Sequence, residues 1–300
     1  MIPHYLPPTA DDIAVVICYF NPVGYLKPYM NYLLFRESMQ RAKIPLFIAE
    51  LVIGAADATP VIPDAHLTLR SKHAMFYKEH LWNRCVSVIP TSYSKLCFCD
   101  ADIIFTNPNW INDLSRKLET CDMVQPFTTC QFLDRDYKTP IWTRGALLHA
   151  LETGAKPALN DAHHPGYAMA YRRDFFTATG GIFEHDFVGS GDTALANALL
   201  GTPFRQAIYK AIGEPYAEYA ANLARLKPRL GAIPGTVKHL YHGSKTNRNY
   251  VDRYAALLGR KASVPLSGLL RANDDGIPEF IDPTDADRFL TYFKSRKEDD

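Results

Sequence analysis

The sequence lacks both a long apolar run and a strong net charge. None of its apolar stretches approaches the roughly 18 residues of a membrane-spanning helix, so no membrane span is predicted. The formal net charge of +1 argues against a nucleic-acid partner, which would need a strongly basic face, but it permits a local basic pocket. The apolar run at residues 13–20 follows Asp11 and Asp12, where a secretory signal would carry basic residues, so we expect a buried strand there.

Cysteine is also scarce, with six residues in 300. Cys18, Cys97 and Cys99 fall in apolar segments that are predicted to be buried strands. Cys97 and Cys99 stand two apart on one strand face, a spacing typical of neither a zinc knuckle nor a redox pair. We interpret all three as small buried apolar side chains, which suits a reducing compartment, and we expect a cytoplasmic location.

The composition is that of a globular protein, with 47% apolar and 22% charged residues. The first 125 residues alternate strand and helix signals, which predicts an α/β fold with a mostly parallel central sheet flanked by helices. Strands are predicted at residues 13–20, 46–52, 65–69, 95–99 and 122–124, and helices at residues 25–41, 73–88 and 110–118. The second half is less regular, although a helix is predicted at 247–258, and the tail beyond residue 262 is expected to fray at its end.

Two carboxylates follow the strand predicted at residues 95–99, in the segment C-D-A-D. Side chains alternate along a strand, so Asp100 and Asp102 are expected to point to one side of the sheet. Ligands of parallel sheets bind beyond the carboxyl ends of the strands, and paired carboxylates there suit Mg²⁺ or Mn²⁺ held together with substrate phosphates. The alternative is a solvated strand end that leads into the turn at Asn107-Pro108.

A histidine and several hydrogen-bond donors follow a strand predicted near residues 237–241. The imidazole of His242, beside Gly243, can complete a Mn²⁺ shell that carboxylates leave open. Lys245, Asn247 and Arg248 supply donors that match the oxygens of a diphosphate. The alternatives are a histidine bonded within the core and a solvated helix start.

The glycine-rich segment at residues 180–192 ends in Asp192, at a predicted helix start. One interpretation is a helix N-cap, in which the carboxylate accepts backbone N–H bonds. The other is a general base that takes the proton of an attacking hydroxyl group, with glycines that let a substrate approach closely. Asp186 and Glu184 are the alternative carboxylates for that role.

Four further residues are candidates for nucleotide binding or support. Asn21 follows the first strand, where contact with a base or ribose is expected. Glu50 is a lone acid in the second strand and could bond a ribose or uracil. Lys78 could reach a phosphate, and Asn83 could brace the loop of the Asp pair; the alternative for Lys78 is a surface lysine.

Together these segments resemble the GT-A glycosyltransferases, most of all the β-1,4-galactosyltransferase group and its bacterial and viral relatives. F-Y-K-E-H-L-W-N at 76–83 is similar to the group's F-N-R-A-K-L-L-N, and C-D-A-D at 99–102 stands where its metal-binding Asp-x-Asp stands. The segment at 180–192 is similar to its acceptor-side segment, and H-G-S-K-T-N-R at 242–248 to the one that carries its metal-ligating histidine. The resemblance spans roughly residues 13–255.

The resemblance implies roles for individual residues. Asp102 and His242 would ligate Mn²⁺, or Mg²⁺, and Asp100 would contact the ribose or the metal. Lys78 would meet the nucleotide, and Asp192 would be the catalytic base. The group's Glu-Asp pair is here Asp192 followed by threonine, and serine stands at its acceptor-stacking tryptophan.

The resemblance also implies the fold, the activity and the partners. The fold would be a Rossmann-like GT-A domain over residues 1–262, with a nucleotide-sugar-binding half at 1–125, an acceptor-binding half at 126–262 and a C-terminal extension at 263–300. The activity would be a metal-dependent hexosyltransfer, with inversion, from a nucleoside-diphosphate sugar (a UDP-sugar) to a hydroxyl of a carbohydrate or glycoconjugate acceptor.

Three other functions stay open at the level of sequence. A sugar nucleotidyltransferase also uses a metal-binding Asp, although residues 21–27 contain a single glycine where its phosphate loop would stand. A non-catalytic binder of nucleotide sugars or carbohydrates would share the fold. A metal-dependent hydrolase would use the remaining histidine pairs, which are His163, His164, His239 and His242.

Overall fold

The computed structural model describes residues 2–55, 57–155, 162–250 and 252–300, apart from the side chain of Lys245. In these residues the helices are α1 (Leu26–Arg41), α2 (Lys78–Cys85), α3 (Trp110–Lys117), α4 (Leu147–Glu152), α5 (Arg173–Thr179), α6 (Gly191–Leu200), α7 (Lys210–Leu226), α8 (Lys245–Arg248), α9 (Arg253–Leu258), α10 (Leu266–Leu269) and α11 (Pro283–Ser295). The strands are β1 (Ile13–Tyr19), β2 (Leu46–Ile53), β3 (Leu67–Ser71), β4 (Lys95–Cys99), β5 (Ile103–Phe105), β6 (Met123–Gln125), β7 (Thr129–Leu133), β8 (Pro140–Ala146), β9 (His163–His164), β10 (Ala168–Arg172), β11 (Leu230–Ala232), β12 (Thr236–His239), β13 (Leu270–Ala272) and β14 (Pro278–Phe280). Short 3₁₀ turns lie at Val86–Val88, Arg205–Ile208 and Gly259–Lys261.

A seven-stranded sheet forms the centre of the described chain, in the order β11-β6-β10-β4-β1-β2-β3. Strands β1, β2, β3 and β4 pair in parallel, and β11 pairs in parallel with β6. Strand β10 runs antiparallel between β4 and β6. The predicted α/β class, with a mostly parallel central sheet flanked by helices, is therefore confirmed.

The sequence of β1, I-A-V-V-I-C-Y, is apolar throughout because both faces of the sheet are covered. Ala14 and Val16 contribute to a core that includes side chains of α2, α5, α6 and α7. The alternate side chains of Val15 and Ile17 contribute to a second core with side chains of α1 and α3. The candidate site lies beyond the two cores, at the carboxyl ends of β1 and β4, where the first turns of α2 and α6 also contribute side chains.

A second sheet extends the first at this end, in the order β5-β12-β7-β8-β9. Only residues 100–102 separate the end of β4 from the start of β5, so the chain passes from one sheet to the other through the Asp pair. The second half of the chain thereby meets the carboxyl ends of the first-half strands.

Several element boundaries differ from the prediction. The helix predicted at 73–88 begins only at Lys78, because the N–H of Phe76 donates to Phe187 O at 3.1 Å and not to a carbonyl of its own helix. The helix predicted at 247–258 is split into α8 and α9, because Asn249 adopts a left-handed conformation with φ of 43°.

The prediction of a frayed tail is wrong. Helix α11 starts with Asp282, whose side chain accepts the N–H of Thr284, and with proline at its first position. Its apolar face is buried through Phe289 and Phe293, and the chain remains ordered beyond it.

The cysteine prediction is confirmed for two of the three residues, since Cys97 and Cys99 are fully buried. Cys18 is half-buried, and all six cysteines are free thiols. Among the residues that the structure describes, no helix is long and apolar enough to cross a membrane.

Candidate metal centre and active site

A cavity of about 770 Å³ lies beyond the carboxyl ends of β1 and β4. This volume is typical of small-molecule sites, which range over about 300–1,000 Å³. Of the residues predicted from the sequence, those that line it are Asn21, Lys78, Asp100, Asp102, Asp192, His242 and Arg248. These residues come from distant parts of the chain, so the fold unites most of the predicted site.

Asp102, His239 and His242 form a group that could hold a metal ion, with one ligand atom of each within 4.8 Å of the others. The Oδ2 atom of Asp102 lies 2.9 Å from His242 Nε2 and 3.4 Å from His239 Nε2. The Oδ1 atom of Asp102 is buried without a hydrogen-bond partner among the described residues. One carboxylate and two imidazoles, with an acceptor oxygen left unused, fit a divalent transition ion.

Strand pairing explains why these three side chains meet. Strand β12 pairs antiparallel with β5, and this register sets His239 opposite Ile103, the residue after Asp102. The N–H of Leu240 donates to Asp102 O at 2.8 Å, which fixes the two strand ends against each other. The turn at Gly243, with φ of 93°, then leaves His242 facing the same cavity.

The protonation states of Asp102 and His239 suit metal binding. Burial alone would raise the pKa of Asp102, but His239 and His242 beside it hold that pKa well below its ordinary value. Burial lowers the pKa of His239 to about 4, although Asp102 opposes this effect. At neutral pH Asp102 is therefore an anion and His239 a neutral imidazole, which are the forms that coordinate metals. Burial and Arg248 lower the pKa of His242, but Asp102 and Glu298 outweigh them and raise it, so a metal ion would have to displace a proton from that ring.

The group contains His239, which the sequence analysis named only for a hydrolase, and not Asp100, whose contact with a metal stays a prediction. Asp100 Oδ1 instead forms an ion pair with Lys78 Nζ at 3.2 Å. Burial raises the pKa of Asp100 to about 6, against the opposing effect of Lys78. The signal that could have identified His239 was its spacing of three residues from His242, which our sequence reasoning used only for a hydrolase.

Asp192 lies in the first turn of α6 and not at its N-cap, which is Ser190. Its Oδ1 accepts the N–H of Thr193 at 2.7 Å, and its carboxylate lines the cavity. Burial raises the pKa of Asp192, but Lys78 and then His164 outweigh burial and lower it overall. The N-cap interpretation is therefore wrong. The carboxylate is an anion that faces the cavity.

A neighbouring glycine gives this carboxylate its space. A Cβ atom added to Gly166 would lie 2.3 Å from Asp192 Oδ2, far inside van der Waals contact. A side chain at that position would therefore displace the Asp192 carboxylate from its observed place.

Glu79 is a cavity-lining residue that the sequence reasoning missed. Its side chain is only 5% exposed and its Oε1 atom lies 3.8 Å from Lys78 Nζ. Burial raises the pKa of Glu79 to about 7, although Lys78 lowers it. Glu79 stands beside Lys78 in the quoted motif, but a glutamate in the first turn of a helix usually indicates a solvent-exposed position.

Two buried arginines also line the cavity. Arg248 donates from Nη2 to His242 O at 3.0 Å and from Nη1 to the Tyr250 hydroxyl at 2.9 Å. Arg253, which we did not predict, is 3% exposed and donates from Nη2 to Ser190 Oγ at 2.7 Å. The Nε atoms of both arginines have no partner among the described residues, and guanidinium groups of this kind bind phosphates well.

Two further candidates from the sequence, Glu50 and Asn83, are not among the residues that line the cavity. Both carboxylate oxygens of Glu50 are occupied, at 2.6 Å and 3.0 Å, by the N–H groups of Val61 and Ile62, outside the cavity. Asn83 donates to Ile182 O at 2.8 Å and to Glu184 Oε2 at 2.6 Å, so it braces the glycine-rich segment and not the loop of the Asp pair. Each side chain satisfies backbone or carboxylate groups of a neighbouring loop, which explains a polar residue in an apolar setting.

Asn21 lines the cavity through a loop that its own side chain shapes. Its Oδ1 accepts the N–H of Tyr25 at 3.0 Å, and its Nδ2 donates to Tyr25 O at 2.7 Å. These bonds hold the turn between β1 and α1, so any contact of Asn21 with a nucleotide remains a prediction.

The four histidines of the hydrolase alternative all line the cavity, but they do not form one metal-ligand group in the described chain. Across the described parts of the chain, the only group of metal-ligand residues joins His239 and His242 to Asp102. His164 instead stacks on Tyr167 at 4.0 Å between ring centroids and accepts the N–H of Gly166 at 3.0 Å. This geometry gives the hydrolase alternative no support.

No family model matches the chain, and no curated protein matches it. Among solved structures, it is similar to a Drosophila β1,4-galactosyltransferase 7 mutant in complex with manganese, UDP-Gal and xylobiose, with 11% identity, a TM-score of 0.37, and coverage of 64% of this chain and 63% of that chain. The chain thus spans less than two thirds of that structure. The catalytic domain of the same Drosophila enzyme with xylobiose is matched at 10% identity and a TM-score of 0.40, over 92% of this chain and 98% of that chain.

A third similar structure is a putative nucleotide-diphospho-sugar transferase from Desulfovibrio desulfuricans, with 14% identity, a TM-score of 0.33, and coverage of 80% of this chain and 89% of that chain. These solved structures are transferases of the type that the sequence resemblance named. At identities of 10–14% and TM-scores of 0.33–0.40, they assign no activity to this chain. The function must therefore be argued from the site itself.

Proposed function

We propose that the protein is a metal-dependent hexosyltransferase that moves a sugar, with inversion, from a UDP-sugar to a hydroxyl of a carbohydrate acceptor. One observation carries the proposal. A single cavity is lined by the Asp102, His239 and His242 group, by the cations Lys78 and Arg248, and by the carboxylate of Asp192. A donor diphosphate needs the metal group and the cations, and transfer to a hydroxyl needs the carboxylate.

Asp102, His239 and His242 would hold the metal ion. Mg²⁺ prefers an all-oxygen shell with several waters, so two imidazoles favour Mn²⁺. When bound, such an ion supplies a Lewis acid that stabilises the negative charge of the leaving diphosphate.

Lys78 and Arg248 would bind the diphosphate oxygens on the two sides of the cavity. Asp100 keeps the ammonium of Lys78 in place at 3.2 Å and offers its second oxygen to a ribose hydroxyl. Arg248 is fixed by its bond to His242 O, so its guanidinium is pre-organised beside the metal group. We propose that residues 1–125 form the donor half and residues 126–262 the acceptor half of this site.

Asp192 would act as the general base. As the acceptor oxygen forms its bond to the anomeric carbon, the bond from that carbon to the diphosphate breaks and the diphosphate leaves with the electron pair. The acceptor proton passes to the Asp192 carboxylate, which is an anion at neutral pH. Attack from the face opposite the leaving group inverts the anomeric configuration.

Ligand-dependent stabilisation tests the donor assignment. A ligand at 100 times its Kd raises the free energy of unfolding by about 2.7 kcal/mol, so thermal unfolding with a panel of nucleoside diphosphates and metals reports binding directly. We expect UDP with Mn²⁺ to stabilise the protein more than UDP or Mn²⁺ alone. Absence of stabilisation by every nucleotide, with or without metal, would overturn the proposal.

Two variants and one product measurement separate the alternatives. His242→Ala should lose the metal-dependent part of the stabilisation, whereas His4→Ala, at an exposed histidine, should keep it. A transferase releases UDP in the presence of acceptor, a nucleotidyltransferase releases pyrophosphate, and a non-catalytic binder releases neither.

A further inference from the structure

The end of the chain lies against the proposed metal group. Beyond α11, Asp299 Oδ1 accepts the N–H of Lys27 at 2.7 Å and its Oδ2 accepts the N–H of Leu26 at 3.0 Å, at the N-terminus of α1. The Tyr25 hydroxyl donates to Lys294 O at 2.7 Å. These bonds fix the last residues across the mouth of the cavity, where Phe293 and Glu298 join its lining.

Glu298 meets the imidazole of His242 on the side away from Asp102. Its Oε1 atom lies 3.4 Å from His242 Nδ1, whereas His242 Nε2 lies 2.9 Å from Asp102 Oδ2. Glu298 is 8% exposed, and Arg296 Nη2 pairs with the same Oε1 atom at 2.5 Å. The carboxylate is thus buried, paired and held at one nitrogen of the ring.

Glycine at position 243 permits this approach. A Cβ atom at Gly243 would lie 3.0 Å from Glu298 Cα and 3.2 Å from Arg296 O, and φ of 93° at that position already disfavours other residues. Glycine at position 243 therefore serves both the turn after His242 and the close packing of the C-terminal residues on that turn.

A carboxylate at Nδ1 decides which imidazole nitrogen is free to coordinate. It accepts the Nδ1 proton, so the neutral ring presents the Nε2 lone pair to the metal group. It also fixes the ring orientation and makes Nε2 a stronger donor, and loss of such a partner commonly weakens metal binding by about 10–100-fold.

We propose that Glu298 is a positioning residue that sets the tautomer and orientation of His242 for metal binding. The proposal rests on the metal site of the proposed function. The C-terminal segment, which the sequence analysis described as an extension after residue 262, would then take part in the site.

The first test measures Mn²⁺ affinity of the full-length, metal-free protein from the electron paramagnetic resonance signal of free Mn²⁺. We expect Glu298→Ala to bind Mn²⁺ about 10–100-fold more weakly than wild type. Glu298→Gln keeps an acceptor at Nδ1 and should lose less affinity than Glu298→Ala. Asp300→Asn, which removes a carboxylate two positions away on the exposed chain end, should bind like wild type. An affinity of Glu298→Ala within twofold of wild type would overturn the proposal.

The second test reads the imidazole directly and needs no metal. In protein labelled with ¹⁵N-histidine, the nitrogen shifts of neutral His242, assigned with His242→Gln, should report a larger fraction of the Nδ1–H tautomer in wild type than in Glu298→Ala. In Glu298→Ala they should move toward the Nε2–H form. Unchanged shifts in Glu298→Ala would contradict the positioning role, even if the wild-type protein binds no Mn²⁺. Failure of wild type to bind Mn²⁺ would instead remove the metal site of the proposed function.

Discussion

At the scale of single residues, the carboxyl groups around Lys78 have different protonation states in one cavity. Asp192 is held as an anion, because Lys78, His164 and other neighbours together outweigh the effect of burial on its pKa. Burial raises the pKa of Glu79 to about 7 and that of Asp100 to about 6. Their environments therefore give similar side chains different chemistry, which the residue types alone do not predict.

Replacement of Asp192 by Asn should abolish transfer without abolishing donor binding. General-base catalysis contributes about 10²–10⁴-fold, so kcat should fall by that factor while the KM for the donor changes little. Glu184→Gln on the same segment is the matched control, because its side chain bonds to Asn83 outside the cavity. Steady-state UDP release measures both variants, and full activity of Asp192→Asn would eliminate it as the base.

The raised pKa of Glu79 predicts that the stability of the protein depends on pH. The folded state raises the pKa of this carboxyl from 4.5 to about 7, so it binds more protons than the unfolded chain between these values. The free energy of unfolding should therefore fall as pH rises from 4.5 to about 7, by about 3 kcal/mol at most. Glu79→Gln should be more stable than wild type at pH 8 and similar to it at pH 4.

Urea unfolding at the two pH values measures this difference. Glu218→Gln, at an exposed glutamate of α7, serves as the control and should follow wild type at both. If Glu79→Gln is equally destabilised at pH 4 and pH 8, the carboxyl is not protonated in the folded state as argued.

At the scale of elements, the site lies at the ends of strands β1 and β4, and the C-terminal residues are bonded to the start of helix α1. Strand β4 was predicted with its observed bounds, Lys95–Cys99, because it is a short apolar run ended by two acids. The boundaries of α2 and the break between α8 and α9 were not predicted. They depend on a bond from Phe76 to Phe187 and on the left-handed Asn249, both of which are tertiary or conformational features.

Asp299 anchors the C-terminal residues on α1, so we expect a modest loss of stability when its carboxylate is removed. Asp299 caps the free N–H groups at the start of α1, whose own N-cap residue Tyr25 makes no side-chain cap bond. Capping side chains contribute about 1 kcal/mol, so Asp299→Ala should lower the free energy of unfolding by about that amount. Asp300→Ala should have no comparable effect in the same denaturation experiment, and equal losses in both variants would contradict the anchor.

At the scale of the whole molecule, many stretches of chain line the cavity, and three of them lie far apart in the sequence. The Asp pair comes from the first sheet, His239 and His242 follow β12, and Phe293 and Glu298 come from the C-terminal segment. The sequence resemblance covered the first two stretches and stopped near residue 255, so it left the third unassigned.

Ligand binding should therefore protect two separate segments together. With UDP and Mn²⁺ present, amide hydrogen exchange should slow in both residues 242–250 and residues 293–299, because both border the cavity. Residues 270–280, which form the β13–β14 hairpin away from the cavity, provide an internal control. Protection confined to the first segment would show that the tail takes no part in the occupied site.

The sequence by itself determined the α/β class, the strand that leads into Asp100 and Asp102, and seven of the residues that line the cavity. These depend on local information: apolar runs, period-two alternation and acids at a strand end. Only the tertiary structure brought His239 beside Asp102 and His242, bonded Glu50 and Asn83 to neighbouring loops, and placed Glu298 against His242. Those contacts join residues far apart in the chain, such as 56 positions between His242 and Glu298, and no local pattern encodes a distance of that kind.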